Sequence, residues 1–154
     1  MKFYNQWLNE NIVSYGIFAS ATNSLTGKDV KLSERLYLPE SKLRGFESGK
    51  IGPKDGTDFV GGNYALSFNA ATTLPQILPS LENINFSLFF DVANIWGLDY
   101  SSSLDDGSDV RSSFGLAIDV FTPIGPVNLS FAQPISKGKN DSTESFRFNL
   151  GTTF

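Results

Sequence analysis

Apolar and polar residues alternate over long stretches of this chain, most clearly between Val110 and Thr122. The even-numbered positions there are mostly large and apolar. The odd-numbered positions are polar or small, and they include Arg111 and Asp119. Because successive side chains of a β-strand point to opposite faces, this period of two predicts a strand with one apolar and one polar face.

The same alternation predicts five further strands. They are Ile12–Ala21, Tyr64–Leu74, Ile84–Trp96, Val127–Gln133 and Ser145–Phe154. Most of these segments are longer than the ~5–6 residues typical of globular strands. The expected fold class is therefore all-β, built from about six antiparallel strands.

The connections between the predicted strands differ in length and chemistry. Thr122–Pro126 is predicted to be a tight hairpin, because Pro and Gly punctuate it. Pro75–Asn83 and Ser136–Thr143 are short links, and Asp99–Asp109 is a longer acidic, Ser-rich loop. Residues 23–58 form the longest connection, with many charges and several Gly.

Long strands with one apolar face fit either a soluble β-sandwich or a transmembrane β-barrel. A sandwich buries the apolar faces against each other, whereas a barrel turns them to lipid. The polar faces here carry small residues, as a wet interior allows, and Tyr64 and Trp96 lie near strand ends, where interfacial aromatics belong. No charge interrupts the apolar faces, where one at mid-depth in lipid would cost ~2–4 kcal/mol. The pattern favours an antiparallel transmembrane β-barrel.

The composition narrows the possible chemistry. Of the 154 residues 14 are Phe, and only 18% are charged, below the ~25% typical of soluble domains. The absence of Cys and His excludes disulfides, zinc sites, Cys or His nucleophiles and histidine bases. Since the carboxylates form no convincing pair either, we expect no enzyme activity, no metal site and no cofactor. A net charge of -4 without a basic patch argues against a nucleic-acid partner.

Neither a transmembrane helix nor a signal peptide is recognisable in this sequence. No apolar run approaches the ~18 residues of a transmembrane helix, a limit that does not apply to barrel strands. Met1–Glu10 lacks the apolar segment and the small-residue cleavage site of a signal peptide. If the protein is exported, the signal is expected upstream of this chain or was removed.

The long connection contains the most specific motif. It reads LRGFESGKIGP over Leu43–Pro53, and Gly61-Gly62-Asn63 follows at the start of a predicted strand. This combination resembles the extracellular loop of the BamA-type outer-membrane assembly proteins, the bacterial surface antigen family. Further matches run in order to the end of the chain: Phe89–Trp96, Arg111–Gly115, Pro123–Pro126, Phe131–Pro134 and Phe146–Gly151.

The resemblance implies a role for the loop motif Arg44, Gly45 and Phe46. In such proteins the loop folds back into the barrel lumen, where its arginine meets acidic groups on the barrel wall. Asp91 occupies the matching wall position, and the alternation independently places it on the polar face. A second acidic residue is usual on the preceding strand, but the matching position here is Ala71. Asp91 is therefore the expected anchor of the loop, through a guanidinium–carboxylate pair.

The last predicted strand resembles the outer-membrane β-signal, an amphipathic terminal strand with a final aromatic residue. The residues that carry it are Phe146, Phe148, Leu150 and Phe154. The other charges expected on the polar faces are Arg111, Asp119 and Arg147. We interpret these three as solvated or paired structural charges.

The resemblance also sets expectations about the whole protein. A barrel of this type has about sixteen strands, so residues 1–154 are expected to be its C-terminal portion, with the periplasmic POTRA domains outside this chain. The expected function is insertion and folding of β-barrel proteins in the bacterial outer membrane. The expected partners are outer-membrane lipids, nascent outer-membrane proteins and assembly-complex lipoproteins. An isolated sheet of six strands has two free edges, so self-association is expected.

Three other functions remain open at this point. One is a polypeptide translocase of the same superfamily, either a two-partner secretion transporter or a TamA-like protein. The second is a passive porin. The third is a soluble β-sandwich binding module.

Overall fold

The structure, a computed structural model, describes residues 2–7, 11–25, 29–75, 83–99, 104, 108–123 and 125–150. Its main feature is a sheet of seven strands in which every neighbouring pair is antiparallel. The strands are β1 (Lys2–Trp7), β2 (Asn11–Ala21), β5 (Tyr64–Thr73), β6 (Ile84–Trp96), β7 (Arg111–Thr122), β8 (Gly125–Ser136) and β9 (Phe146–Leu150). A ribbon of β3 (Lys54–Asp55) and β4 (Asp58–Phe59) lies apart from it.

The sheet order is β1-β2-β5-β6-β7-β8-β9, so each strand pairs with the main-sheet strand that precedes it in the chain. All six strands predicted from the alternation are present. The strand Lys2–Trp7 was not predicted, because its sequence KFYNQW alternates poorly. The strands form one sheet rather than two packed sheets, so the β-sandwich alternative is wrong.

The two faces of the sheet differ as the alternation predicted. The face that carries the large apolar residues, here called the outer face, leaves them exposed; its members include Leu66, Phe68, Leu88, Phe90, Phe114 and Phe131. Aromatic rings from neighbouring strands pack side by side on this face, as in the Tyr64–Trp96 pair with ring centroids 5.9 Å apart. The opposite face, here called the inner face, is covered in part by the long connection between β2 and β5.

The buried core lies between that connection and the inner face. Leu38, Leu43, Phe46 and Ile51 of the connection pack against Ala65, Ala93 and Ile95 of the sheet. The small alanines leave room for the larger loop side chains. The connection also contains two short 3-10 turns, Leu32–Glu34 and Glu40–Lys42. Among the described residues there is no helix that is both long and apolar enough to cross a membrane.

Several sequence predictions concern residues that the structure does not describe. Phe154, Ile124 of the predicted hairpin, and residues 76–82 of the predicted link lie outside the described residues. Most of the acidic loop after Asp99 lies outside them as well.

Candidate functional site

Arg44 and Asp91 form a two-pronged ion pair at the centre of the inner face. Arg44 Nε donates to Asp91 Oδ2 at 2.7 Å, and Nη2 donates to Oδ1 at 2.8 Å. The backbone N–H of Arg44 also donates to Oδ2, at 3.1 Å. The Asp91 side chain is 0% exposed and that of Arg44 is 20% exposed. A bidentate geometry of this kind fixes orientation as well as distance, so the loop has one preferred position.

Asn69 also bonds to this ion pair, a contact that the sequence did not predict. It lies directly opposite Asp91 on β5, and its amide nitrogen donates both to Asp91 Oδ1 and to the carbonyl oxygen of Lys42, each at 2.9 Å. Ala71, the position matched to a second acid, lies opposite Phe89 instead. Asn69 therefore supplies a neutral donor on the strand where the resemblance implies a second carboxylate.

The aromatic ring of Phe89 packs against the guanidinium group of Arg44. Arg44 Cζ lies 3.6 Å from the centroid of the Phe89 ring, a cation–π contact. The Phe89 ring in turn occupies the space over Gly115, since a Cβ on that glycine would meet both the ring and a backbone oxygen. Phe89 is a large aromatic residue among mostly small or polar neighbours on this part of the inner face, and the contacts with Arg44 and Gly115 account for its position there.

Gly45 brings the loop backbone against the wall. Its φ is +90°, a conformation that disfavours side chains, and a Cβ there would lie 3.0 Å from Ala132 Cβ. The hydroxyl of Ser113 donates to the carbonyl oxygen of Arg44 just beside it. Phe46, which follows, is only 2% exposed and belongs to the buried core described above.

Residues 45–50 of the long connection pair through backbone hydrogen bonds with the segment that leads into β9. Glu144 N donates to Gly45 O at 3.1 Å, Glu47 N donates to Ser142 O at 3.0 Å, and Ser142 N donates to Lys50 O at 3.0 Å. These bonds extend sheet-like pairing from the loop to the last described strand.

A second buried ion pair, between Arg111 and Asp141, fixes the segment that leads into β9. Arg111 Nε and Nη2 donate to the two Asp141 oxygens at 2.7 and 3.0 Å, with side chains 2% and 1% exposed. Asp141 also accepts from the backbone N–H groups of Gly138 and Gly52. Arg111 Nη1 donates to Asn94 Oδ1 at 2.6 Å. The pair thus joins β6, β7 and both loops at one point.

The three described residues of the β-signal candidate share the outer face, and the charge between them faces inward. Phe146, Phe148 and Leu150 point to the outer face and are 49%, 55% and 56% exposed. Arg147 points inward, where it contacts Glu144 at 2.6 Å and donates to the carbonyl oxygen of Phe46, also at 2.6 Å. Arg147 is therefore paired, which is one of the two alternatives, solvated or paired, that the sequence left open.

Arg35 and Asp99 connect the loop to the segment after β6. Arg35 Nη2 donates to Asp99 Oδ1 at 2.9 Å, and Val30 N donates to Asp99 Oδ2 at 2.8 Å. Burial acts to raise the pKa of Asp99, but hydrogen bonds from Val30 and Asn63 and the charge of Arg35 together lower it below the usual value.

The space beside the loop is a cavity of about 610 Å³ on the inner face, lined by both apolar and polar side chains. Its lining includes Asn69, Asn85, Asp119, Asn128, Arg147 and Asn149. Within the described ranges, no group of three or more acidic side chains is placed to hold a metal ion. The described side chains around the cavity offer hydrogen bonds and charge.

Comparison with known proteins places this geometry in a family. Residues 1–154 match the Omp85 superfamily domain. The chain is 28% identical over 84% of its length to the outer membrane protein assembly factor BamA of Neorickettsia risticii, and 31% identical over 82% to that of Neisseria meningitidis serogroup B. It is 26% identical over 96% of its length to the sorting assembly machinery 50 kDa subunit of Saccharomyces cerevisiae. It covers 18%, 19% and 33% of these relatives, respectively.

A solved structure agrees in fold. The crystal structure of BamA from Haemophilus ducreyi lacking POTRA domains 1-3 superposes with a TM-score of 0.84, at 28% identity, over 96% of this chain and 32% of that chain. The predicted barrel fold, the resemblance to BamA-type proteins and the location in the outer membrane are therefore confirmed. The chain belongs to the Omp85 superfamily.

Proposed function

We propose that this chain forms part of an outer-membrane barrel that inserts and folds other β-barrel proteins. The observation that carries the proposal is the seat of the Arg-Gly-Phe loop, where Arg44 meets a fully buried Asp91 on the barrel wall. The relatives reported above are named for assembly and sorting, which supports this function over passive transport.

The edge of the sheet is the proposed place of action. β9 is the last strand in the sheet order, with apolar side chains outward and polar ones inward. Each backbone group without a partner in lipid costs several kcal/mol, so an incoming strand with the same alternation gains hydrogen bonds by joining that edge. In this proposal Phe146, Phe148 and Leu150 form the outward part of the β-signal, and Phe154 completes it beyond the described residues.

In this proposal the long connection between β2 and β5 has a separate structural role. Arg44 and Asp91 hold it against β6, and its backbone bonds to Ser142 and Glu144 steady the segment before β9. The wall therefore keeps its shape while the edge exchanges partners.

The proposed function implies three kinds of binding partner. Nascent outer-membrane proteins join the edge, and outer-membrane lipids cover the Phe-rich outer face. Assembly-complex lipoproteins are included because of the resemblance to BamA-type proteins.

Folding of a client barrel in proteoliposomes tests the proposal. A urea-unfolded barrel protein is added, and its folded fraction is followed by heat-modifiable migration on a gel. We expect faster folding than in empty liposomes, and slower folding with Asp91→Asn. Asp58→Asn, the same change at an exposed position of the short strand β4, is the matched control and should leave the rate unaltered.

Two other outcomes identify the competing functions. Stable conductance steps without any gain in client folding would indicate a porin. Transfer of a secreted polypeptide across the bilayer without client folding would indicate a translocase. A folding rate equal to that of empty liposomes contradicts the proposal.

A further inference from the structure

A second cavity, of about 400 Å³, lies where one end of the sheet meets the long connection between β2 and β5. Asn23 follows β2, Asn63 precedes β5 and Asp99 lies shortly after β6, so these three residues share that end of the sheet. Asp29 of the long connection lines the cavity with them, and no Lys or Arg does so among the residues that the structure describes. The polar lining therefore includes two carboxylates and two amide groups.

Asn63 contributes a buried acceptor to this cavity. The residue is 6% exposed, and its Oδ1 accepts no hydrogen bond from any residue that the structure describes. Its side chain donates a hydrogen bond to Asp99. Because an ionised carboxylate only accepts, this bond turns the amide N–H group toward Asp99 and Oδ1 away from it. A buried acceptor without a donor is unfavourable, so Asn63 points to a ligand that its oxygen contacts.

The charges around the cavity favour a cation as that ligand. Arg35 offsets the charge of Asp99 at 2.9 Å, whereas Asp29 is exposed and forms no ion pair or hydrogen bond with any described residue. Asn23 Oδ1 accepts a hydrogen bond from the Tyr64 hydroxyl at 3.1 Å and keeps a second lone pair. A water molecule in the cavity would donate to these oxygen atoms but would leave the charge of Asp29 uncompensated. A cation meets both requirements.

We propose that this cavity binds a divalent cation, Ca²⁺ above all, through Asn63 Oδ1, the Asp29 carboxylate and Asn23 Oδ1. Ca²⁺ takes about six to eight oxygen ligands, including carboxylates, Asn carbonyls and water, in flexible geometry, whereas Mg²⁺ requires a compact octahedron. The cavity leaves room for the water ligands. With a single uncompensated carboxylate the site is weak, and we expect half-saturation at roughly 0.1–1 mM Ca²⁺. The sequence did not predict this site, because its oxygen atoms come from well-separated segments.

Terbium luminescence tests the site directly. Tb³⁺ occupies Ca²⁺ sites, and a nearby aromatic ring that absorbs ultraviolet light sensitises its emission. Tyr64 lines the cavity and can supply that energy. The chain is folded in phosphatidylcholine vesicles, and emission from empty vesicles is subtracted. We expect saturable Tb³⁺ emission that Ca²⁺ reverses, with half of the bound Tb³⁺ displaced in the millimolar range or below.

Two variants and a matched control identify the ligands. Asp29→Asn removes the uncompensated charge at an exposed position and should weaken Ca²⁺ binding by roughly tenfold or more. Asn63→Ala removes the buried oxygen and should also weaken binding; if this variant does not fold, Asp29→Asn carries the test alone. Asp58→Asn makes the same charge change at an exposed position of β4 that does not line the cavity. It should leave Ca²⁺ binding unaltered.

Three results would overturn the inference. The first is emission no greater than that of empty vesicles, and the second is equal Ca²⁺ affinity in the native chain and in Asp29→Asn. The third is displacement of Tb³⁺ by ethanolamine at lower concentrations than by Ca²⁺, since the cavity then takes an ammonium group. This inference does not rest on the proposed function, which client folding tests separately.

Discussion

Replacing Arg44 with alanine removes the cation from a carboxylate that the fold hides completely from solvent. Breaking a buried ion pair from one side costs about 3–5 kcal/mol, because the remaining charge stays buried without its partner. The lower end applies here, since one Asp91 oxygen keeps its hydrogen bond from Asn69 at 2.9 Å. The lost contact with the Phe89 ring adds about 0.5–1 kcal/mol. We expect Arg44→Ala to lower the free energy of unfolding by about 3–4 kcal/mol.

A double-mutant cycle separates the pair from its surroundings. Urea unfolding of the protein in lipid vesicles is followed by fluorescence of its two Trp residues, for the native chain, Arg44→Ala, Asp91→Asn and the double variant. Asp91→Asn should cost less than Arg44→Ala, because the freed guanidinium is partly hydrated already. The coupling energy should be about 2 kcal/mol. Losses that add within about 0.5 kcal/mol, or a loss below about 1 kcal/mol for Arg44→Ala, would refute the reasoning.

Three further predictions follow from the same contacts. Asp141→Asn leaves the buried Arg111 without its counter-charge, so we expect a loss of about 3 kcal/mol and, by limited trypsin digestion, faster cleavage of both loops that meet there. Gly45→Ala combines a positive φ with a close contact and should cost about 1–3 kcal/mol in urea unfolding, whereas Gly56→Ala, also at positive φ but with open space around it, should cost less. The pKa of Asp99 is lower in the folded state than in the unfolded chain. Its stabilising contribution is therefore present above the unfolded pKa of about 3.9 and is lost as the pH falls through the folded pKa. Between pH 6 and pH 3 the melting temperature should fall more steeply for the native chain than for Asp99→Asn.

The faces of the strands could be predicted from the sequence, but their registers could not. A period of two assigns each residue to one face, which is why the sequence alone places Asp91 on the polar side. A shift of register by two residues keeps every side chain on its face. The alternation therefore could not decide whether Asn69 or Ala71 stands opposite Asp91, and the structure places Asn69 there.

The second buried ion pair was harder to predict for a different reason. Arg111 lies on a strand with clear alternation, so its inward direction followed from the pattern. Asp141 lies in a connection without periodicity, and its position depends on the hydrogen bonds of Gly138 and Gly52. Contacts that depend on loop backbone geometry leave no regular signal in the sequence.

The buried ion pairs fix the positions of the loops, whereas backbone hydrogen bonds hold the sheet together. Each of the buried ion pairs, Arg44–Asp91 and Arg111–Asp141, joins a loop residue to a strand residue. The strands themselves are held by backbone hydrogen bonds along their whole length, which lipid strengthens because it offers no competing water. Loss of a charge should therefore free a loop before it separates two strands. In the proposed function both kinds of contact are needed, because the ion pairs hold the loops in place and the backbone hydrogen bonds keep the strands together while the edge exchanges partners.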